Sequence, residues 1–194
     1  MSSQSHRSSS TRGFTVLELI ASIAVMVIIM TMLAMGLGGV MPASKAKQAN
    51  VDIVRIQHAL ERYKRAFGEY PKEFTVTGLS TMEEILFNAL AGRLAPKGIF
   101  GNFKSLIDRN SLEFANENFP IVGEIAGPII NTIVDPWGNP YRYRYDPDGL
   151  VITNWENFNY VLFSKGPDGA YADVTLEGQK NEGAASNQDN IYAQ

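Results

Sequence analysis

The chain contains no cysteine among its 194 residues. This absence excludes disulfide bridges, zinc sites built from thiolates and a cysteine nucleophile. Basic residues are not in excess either, since 17 Lys and Arg stand against 20 Asp and Glu and the formal net charge is -3. Nucleic-acid-binding proteins usually show a basic stripe, so this balance argues against such a partner. With 45% apolar and 19% charged residues, the composition is that of a folded protein.

Catalytic motifs are also missing from the sequence. It has no nucleophile motif, no phosphate-binding loop and no paired-histidine metal motif. His58 falls in a helical pattern, where a lone histidine is usually a surface or packing residue. A membrane-tethered enzyme outside the cytoplasm is a remote alternative, because a sequence does not exclude a catalytic pair of carboxylates. We therefore predict that the chain is not an enzyme.

Charge is absent from a long segment near the N-terminus. The 23 residues from Leu19 to Met41 contain no charged side chain, and about 20 helical residues cross a hydrocarbon core of about 30 Å. A signal peptide has a shorter apolar region, about 7 to 15 residues. A helix in the core of a small soluble domain is also shorter than this segment, and most such helices keep a polar face, which is absent here. The segment is predicted to span a membrane. Arg7 and Arg12 precede it, so the positive-inside rule places the N-terminus in the cytoplasm and the C-terminal part outside it.

A single glutamate, Glu18, stands at the start of this apolar segment. Its dehydration costs several kcal/mol unless a partner is supplied, and an ammonium group within a few Å would be such a partner. The stretch Gly-Phe-Thr-Val-Leu-Glu at 13–18 resembles the type IV pilin and pseudopilin family, in which a leader ends in glycine and glutamate is the fifth residue of the mature chain. The resemblance implies that a prepilin peptidase removes leader 1–13 between Gly13 and Phe14 and then methylates the amine of Phe14. Glu18 would pair with that amine on a neighbouring subunit and so set subunit assembly.

The same resemblance divides the rest of the long N-terminal helix. Residues 14–42 would form the transmembrane and filament-core helix, and residues 43–68 its amphipathic half. Between them, a glycine and proline cluster is a hypothesised melting point of the helix in a filament, with a plain membrane exit as the alternative; its members are Gly36, Gly38, Gly39 and Pro42. In the second half, apolar residues recur at steps of three and four and predict one buried helical face; they are Ile53, Ile56, Leu60, Tyr63 and Phe67.

Residues 69–134 form a variable helix and loop region. Gly68 is a predicted helix C-cap, and Pro71 prevents continuation of the helix. Thr81 and Glu84 match a capping box and predict a short helix over 82–91. Four phenylalanines are more typical of a core than of a ligand site; they are Phe100, Phe103, Phe114 and Phe119.

Residues 135–194 are predicted to form an antiparallel sheet and an acidic C-terminal loop. Three segments, YRYRY at 141–145, LVIT at 150–153 and NYVLFS at 159–164, predict a three-stranded meander. The sheet is preceded by Asp-Pro-Trp-Gly-Asn-Pro-Tyr at 135–141, which by composition is turn chemistry. This motif is very similar to one in the major pseudopilins of type II secretion systems.

The resemblance extends to SKGPDG at 164–169 and QDNI at 188–191, which look like the family's loop around a structural calcium ion. It implies calcium ligation by Asp168 and Asp189 and by the carbonyl oxygen of Lys165. Calcium prefers six to eight oxygen ligands, and such an ion would stabilise a loop that has no disulfide. The alternative is a solvated acidic tail, since residues 168–194 hold five acidic residues and one lysine.

Taken together, the resemblance implies an α+β, pilin-like fold in which a long N-terminal helix packs on a small antiparallel sheet. It implies a pseudopilin that polymerises through its N-terminal helix and drives protein export in a type II secretion system. The alternative is a type IV pilin used for adhesion, motility or DNA uptake. The implied partners are identical or related subunits, the prepilin peptidase, an inner-membrane assembly platform and an ATPase. The implied location is the inner membrane, with the C-terminal domain in the periplasm.

Overall fold

The computed structural model describes residues 15–37, 40–72, 77–120 and 127–194. The chain divides between Met41 and Pro42 into two compact units. Helix α1 is Val16–Leu37 and helix α2 is Val40–Phe67. The predicted melting point falls partly outside the described residues, because Gly38 and Gly39 lie there. Gly36 belongs to α1, and Pro42 belongs to α2.

Helix α1 exposes its apolar side chains. Every side chain from Thr15 to Met32 is exposed in the isolated chain, and Ile20, Met26 and Met32 have relative exposures of 59%, 66% and 70%. Within residues 15–37, 40–72, 77–120 and 127–194, no helix combines the length and the hydropathy needed to cross a membrane. The predicted span over 14–42 is thus not confirmed.

Helix α2 is amphipathic, as its sequence predicts. Ile53, Ile56, Leu60 and Tyr63 are buried in the main core, and Phe67 packs against it at the helix end. The helix ends at the predicted C-cap, where Gly68 has a φ of 87° and its N–H donates to the carbonyl of Lys64 at 2.7 Å. Glycine adopts this left-handed conformation without a steric penalty.

A capping box starts helix α3, Met82–Leu90. The Thr81 side chain accepts a hydrogen bond from the Glu84 N–H at 3.2 Å, and the Glu84 carboxylate accepts from the Thr81 N–H at 3.1 Å. These two bonds satisfy N–H groups that the first helical turn leaves without partners. Helix α3 is nearly all buried, and it contacts Arg142–Arg144, an edge strand of the C-terminal sheet.

In the described residues, seven short strands follow α3 and form three small antiparallel sheets. The first two sheets each contain two strands, and the third contains the last three strands of the chain, with the middle one of the three at its centre. Tyr141 and Tyr143 are buried in the main core; the Tyr141 hydroxyl donates to the carbonyl of Ala49 in α2 at 3.4 Å, and the Tyr143 hydroxyl donates to the carbonyl of Pro71 at 2.8 Å. The strands are β1 Leu94–Ala95, β2 Ile99–Phe100, β3 Glu113–Phe114, β4 Ile133–Val134, β5 Arg142–Arg144, β6 Val161–Ser164 and β7 Ile191–Tyr192.

The predicted meander is wrong in one strand. LVIT at 150–153 is a loop, and the third strand of the sheet is β7, Ile191–Tyr192, which pairs with β6. The buried carboxylate of Asp146 accepts hydrogen bonds from the N–H groups of Leu150, Val151 and Ile152 at 2.9, 2.7 and 2.7 Å. These three N–H groups are therefore engaged by a side chain and do not pair with a neighbouring strand.

The phenylalanines of the variable region are mostly core residues. Phe100, Phe114 and Phe119 are partly buried against the main cluster, and Phe114 and Phe119 contact Phe87 of α3 edge to face. Phe103 is more exposed, at 39%, but its ring contacts Phe67 at a centroid distance of 5.4 Å. The α+β class is observed, with small antiparallel sheets and helices at the N-terminal side of the chain.

Candidate assembly site and calcium loop

The first predicted site is at the N-terminus of α1. Glu18 is exposed, and its Oε2 accepts hydrogen bonds from the N–H and the hydroxyl of Thr15, each at 3.1 Å. In return, the Glu18 N–H donates to the Thr15 hydroxyl at 3.3 Å. This is the reciprocal pattern of a capping box, with Thr15 as N-cap. Glu18 thus starts the helix in the isolated chain and keeps its carboxylate at the helix's positive end.

The predicted cleavage and methylation positions, Gly13 and Phe14, lie outside the described residues. The assembly role of Glu18 stays a prediction, because it concerns a second subunit. What the structure adds is that Glu18 already has an intramolecular partner in Thr15, three residues earlier.

The second predicted site is organised by Asp135, which is fully buried. Its Oδ1 accepts hydrogen bonds from the N–H groups of Trp137 and Asn139 at 3.0 and 2.9 Å, and its Oδ2 accepts from the Ser164 hydroxyl at 2.6 Å. Buried carboxylates require such donors because desolvation of the charge is otherwise too costly. Asp135 therefore fixes the turn at 135–141 and connects it to the end of β6.

Asn139 extends this connection into the predicted calcium loop. Its Nδ2 donates to the carbonyl of Gly166 at 3.0 Å, and the Gly166 N–H donates to the Ser164 hydroxyl at 3.1 Å. Asn139 also lies against Gly169, where an added Cβ would be 2.8 Å from its Oδ1. The motif at 135–141 and the loop at 164–169, which the sequence analysis treats separately, form one hydrogen-bonded unit.

The loop at 164–169 contacts the segment that carries Asp189. Gly166 has a φ of 69°, and a Cβ added there would lie 2.6 Å from the carbonyl oxygen of Asp189 and 2.8 Å from its Oδ2. Only glycine allows this close approach. The structure therefore brings Asp189 beside the loop that contains Lys165 and Asp168, as the calcium prediction requires.

The three predicted ligands differ in their surroundings. Asp168 is exposed, and its Oδ1 accepts a hydrogen bond from the Ala170 N–H at 2.8 Å. Lys165 is half-buried, with its Nζ 5.4 Å from the ring centroid of Tyr171. Asp189 is half-buried. The loop that carries Lys165 and Asp168 follows β6, and Asp189 lies just before β7 and beside Gly166 of that loop.

Calcium requires more oxygen ligands than the carboxylates of Asp168 and Asp189 provide. Across the described part of the chain, no group of three or more His, Cys, Asp or Glu side chains is placed to hold a metal ion. Calcium also accepts carbonyl and amide oxygens, and Asn190, directly after Asp189, keeps its Oδ1 buried without a hydrogen-bond partner. The residues fit a calcium ion if main-chain and amide oxygens complete its shell.

Arginines hold the C-terminal loop at another point. Arg144 contacts Asp173 with its Nε at 3.1 Å and its Nη2 at 2.6 Å, and Arg142 contacts both Asp173 at 3.3 Å and Glu83 of α3 at 2.5 Å. Burial raises the pKa of Asp173, but the hydrogen bond and charge of Arg144 outweigh it, and the pKa is lowered overall. These ion pairs connect the loop to the sheet and to α3 without a metal.

Comparison with known proteins addresses the family. The chain is similar to type II secretion system core protein G of Escherichia coli strain K12, with 28% identity over 158 residues, 81% of this chain and 83% of that protein. The resemblance to the pseudopilin family is confirmed. No protein-family profile matches the chain. No solved structure matches it either.

Similarity to this pseudopilin covers most of the length of both chains. The prediction that the chain is not an enzyme is confirmed on the same ground, since this relative is a core protein of a secretion system. The identity of 28% supports a pseudopilin-like role. At this identity, individual ligands or contacts of that protein are not assigned to this chain.

Sequence reasoning did not predict several residues that organise the loop. Asp135 and Asn139 were placed in a turn motif, and their contacts to Ser164 and Gly166 span 25 residues or more in sequence. The sequence around Asp173 does not predict its ion pairs, because its arginine partners lie 29 and 31 residues earlier. The one available signal was the alternation of tyrosine and arginine at 141–145, which leaves two arginines on the same face of a strand in need of carboxylates.

Proposed function

We propose that this protein is a pseudopilin of a type II secretion system, a structural subunit whose polymerisation through α1 drives protein export. The observation that carries this proposal is the exposure of α1: every side chain from Thr15 to Met32 is exposed in the isolated chain. Exposed apolar surface of this extent requires a cover. Lipid before assembly, and neighbouring α1 helices after it, would supply that cover.

Processing is the next step of the proposal. A prepilin peptidase would cleave between Gly13 and Phe14 and methylate the Phe14 amine, one residue before Thr15. Glu18 would then exchange its bonds to Thr15, or share its carboxylate, with the amine of a neighbouring subunit. The intramolecular hydrogen bonds to Thr15 support this exchange of partners, because they satisfy the Glu18 carboxylate before assembly.

Removal of the gene tests the secretory role. In the host cell, a deletion strain should lose export of secreted proteins and regain it when the wild-type chain is supplied. Mass spectrometry of the complemented protein should show a chain that begins at a methylated Phe14. Normal export with a loss of surface fibres would instead favour a type IV pilin, and an unprocessed chain as the abundant form would contradict the assembly mechanism.

We further propose that a structural calcium ion binds between the loop at 164–169 and the segment at 188–191. Asp168, Asp189 and the carbonyl oxygen of Lys165 would hold it, and the buried Oδ1 of Asn190 supports an additional ligand there. The ion would supply positive charge that offsets the two carboxylates and would fasten the two segments to one another.

Thermal unfolding of the full chain in detergent tests the calcium proposal. Calcium should raise the melting temperature relative to EGTA, since a ligand that binds only the folded state stabilises it. Asp189→Asn should abolish this shift, whereas Asp108→Asn, at an exposed aspartate outside the loop, should keep it. Equal melting temperatures with calcium and with EGTA would contradict the site.

A further inference from the structure

The inference rests on the proposed function and concerns how the C-terminal units of neighbouring subunits meet. Two exposed surfaces of this unit combine apolar residues with charge of one sign. The first, here called the acidic loop surface, consists of Phe158 and Leu176 with Glu156 and Glu177. The second, here called the basic helix surface, consists of Val51 and Val54 of α2 with Lys47 and Arg55.

The acidic loop surface is built by two loops that are fastened to one another. The Glu156 N–H donates to the carbonyl of Glu177 at 3.0 Å, and the Asn157 Nδ2 donates to the carbonyl of Gly178 at 2.8 Å. The Trp155 ring packs directly on Gly178, whose φ is 71°. An added Cβ at Gly178 would overlap this ring, so only glycine allows the contact.

Two large apolar side chains on these loops are exposed to solvent. Phe158 is 100% exposed and Leu176 is 72% exposed. Full exposure of a phenylalanine forgoes the favourable free energy of burying its ring. Glu156 and Glu177, within two residues of these side chains in sequence, are exposed. The nearest cation along the chain, Lys180, is exposed and donates to the carbonyl of Ala193. The surface is therefore apolar at its centre and negative at its edge.

The basic helix surface has the complementary character. Val51 and Val54, three residues apart on α2, are 46% and 48% exposed and share one side of the helix. The helix carries six cationic residues and two acidic ones, and the acidic Asp52 and Glu61 are buried and half-buried. Of the cations, Lys47 and Arg55 stand four residues before and after Val51 on the same side of the helix and are exposed, and Arg55 also contacts Asp52 at 3.0 Å. This surface is apolar at its centre and positive at its edge.

We propose that the acidic loop surface of one copy of this chain docks on the basic helix surface of the next copy. Within one copy the two surfaces do not cover one another, because Phe158 is fully exposed. Complementary charge favours the approach of the two surfaces and fixes their register. A contact between two different surfaces is head to tail, and when its rotation does not close into a ring it propagates as an open helical filament.

Cysteine cross-linking tests this contact directly, because the natural chain contains no cysteine. Phe158→Cys and Val54→Cys are placed in two differently tagged copies of the full chain, which are expressed together in the host cell. A disulfide requires Cα atoms within about 7 Å. We expect a mixed disulfide dimer on oxidation. Ile130→Cys, 55% exposed and far from both surfaces in sequence, replaces Phe158→Cys as the matched control and should give none.

Charge reversal provides a second measurement. Glu156→Lys with Glu177→Lys in the Phe158→Cys copy should reduce the mixed dimer, because like charges then face one another across the contact. Lys47→Glu in the other copy should restore part of it. All three reversed positions are exposed, so the folded chains should accumulate normally.

The outcomes separate this inference from the proposed function. Filaments that form without the mixed dimer would overturn the docking surfaces and leave the pseudopilin role intact. Symmetric Phe158→Cys dimers, or cross-links only to a different protein, would also overturn the head-to-tail contact. If the wild-type chain forms no filaments at all, the proposed function and this inference fail together.

Discussion

Substitution of Asp135 by alanine is expected to destabilise the C-terminal unit strongly. The change removes a fully buried acceptor from three donors, the N–H groups of Trp137 and Asn139 and the hydroxyl of Ser164, at 3.0, 2.9 and 2.6 Å. Each hydrogen bond to a charged acceptor contributes about 1.5 to 3 kcal/mol net. The three contributions share one carboxylate and are not additive, and removal of the buried charge recovers part of its desolvation penalty.

From these terms we expect a loss of about 4 kcal/mol in the free energy of unfolding. For a chain of this size, 1 kcal/mol changes the melting temperature by about 2 to 4 °C, so the expected decrease is about 8 to 16 °C. Asp135→Asn should lose roughly half as much, because its Oδ1 still accepts from the two N–H groups whereas its amide replaces the acceptor of the Ser164 hydroxyl.

The assay is thermal unfolding of the full chain in detergent, followed by tryptophan fluorescence. Asp108→Ala is the matched control, because Asp108 is exposed and accepts one backbone hydrogen bond, from the Asn110 N–H at 3.0 Å. Its melting temperature should change little. The reasoning is refuted if Asp135→Ala has the same melting temperature as the control, or if Asp135→Asn lowers the melting temperature more than Asp135→Ala does.

Two further predictions concern the pH dependence of unfolding. The pKa of Asp173 is lowered from 3.8, so Asp173 stabilises the fold above pH 3.8 and less so as the pH falls below it. Asp173→Asn should therefore have a lower melting temperature than wild type at neutral pH, and the two melting temperatures should converge in acid. A difference in melting temperature that is the same at all pH values would contradict this. Burial, the largest influence, raises the pKa of Asp52, so its ionised form is disfavoured in the fold, and Asp52→Asn should be as stable as wild type at pH 7. A large loss of stability in this variant, measured by the same melts, would show that the hydrogen bonds to Gln48 and Arg55 outweigh the burial of charge.

The elements that the sequence predicts well are those with local signals. The apolar spacing of α2 needs only a count of three and four residues, and Gly68 ends the helix where predicted. Thr81 and Glu84 are three residues apart and form the capping box of α3. In each case the residues that determine the structure are close in sequence, so a local pattern is enough to predict the element.

The elements that the sequence mispredicts depend on distant partners. LVIT at 150–153 has the composition of a strand, but the Asp146 side chain takes the N–H groups that a strand would use. Ile191–Tyr192 has no strand signal of its own, since it is two residues long, and it becomes a strand because β6 offers a free edge. Strand propensity describes a fit to neighbours more than a preference of the backbone.

The candidate site shows the same division. Asp168 and Asp189 were found through family resemblance, and the structure places Asp189 beside Gly166, in the loop that also carries Asp168. Asp135 and Asn139, which hold that loop in place, were not identified as site residues. Their partners lie 27 to 29 residues further along the chain, and no local pattern encodes contacts over that distance.

Replacement of Glu18 by glutamine tests the central claim most directly. Glutamine keeps an oxygen that accepts from the Thr15 N–H and so preserves the cap of α1, and it removes only the negative charge. The account predicts that Glu18→Gln is made, cleaved and methylated at Phe14 but no longer assembles into filaments. Filaments of normal length and number from the glutamine variant would contradict it.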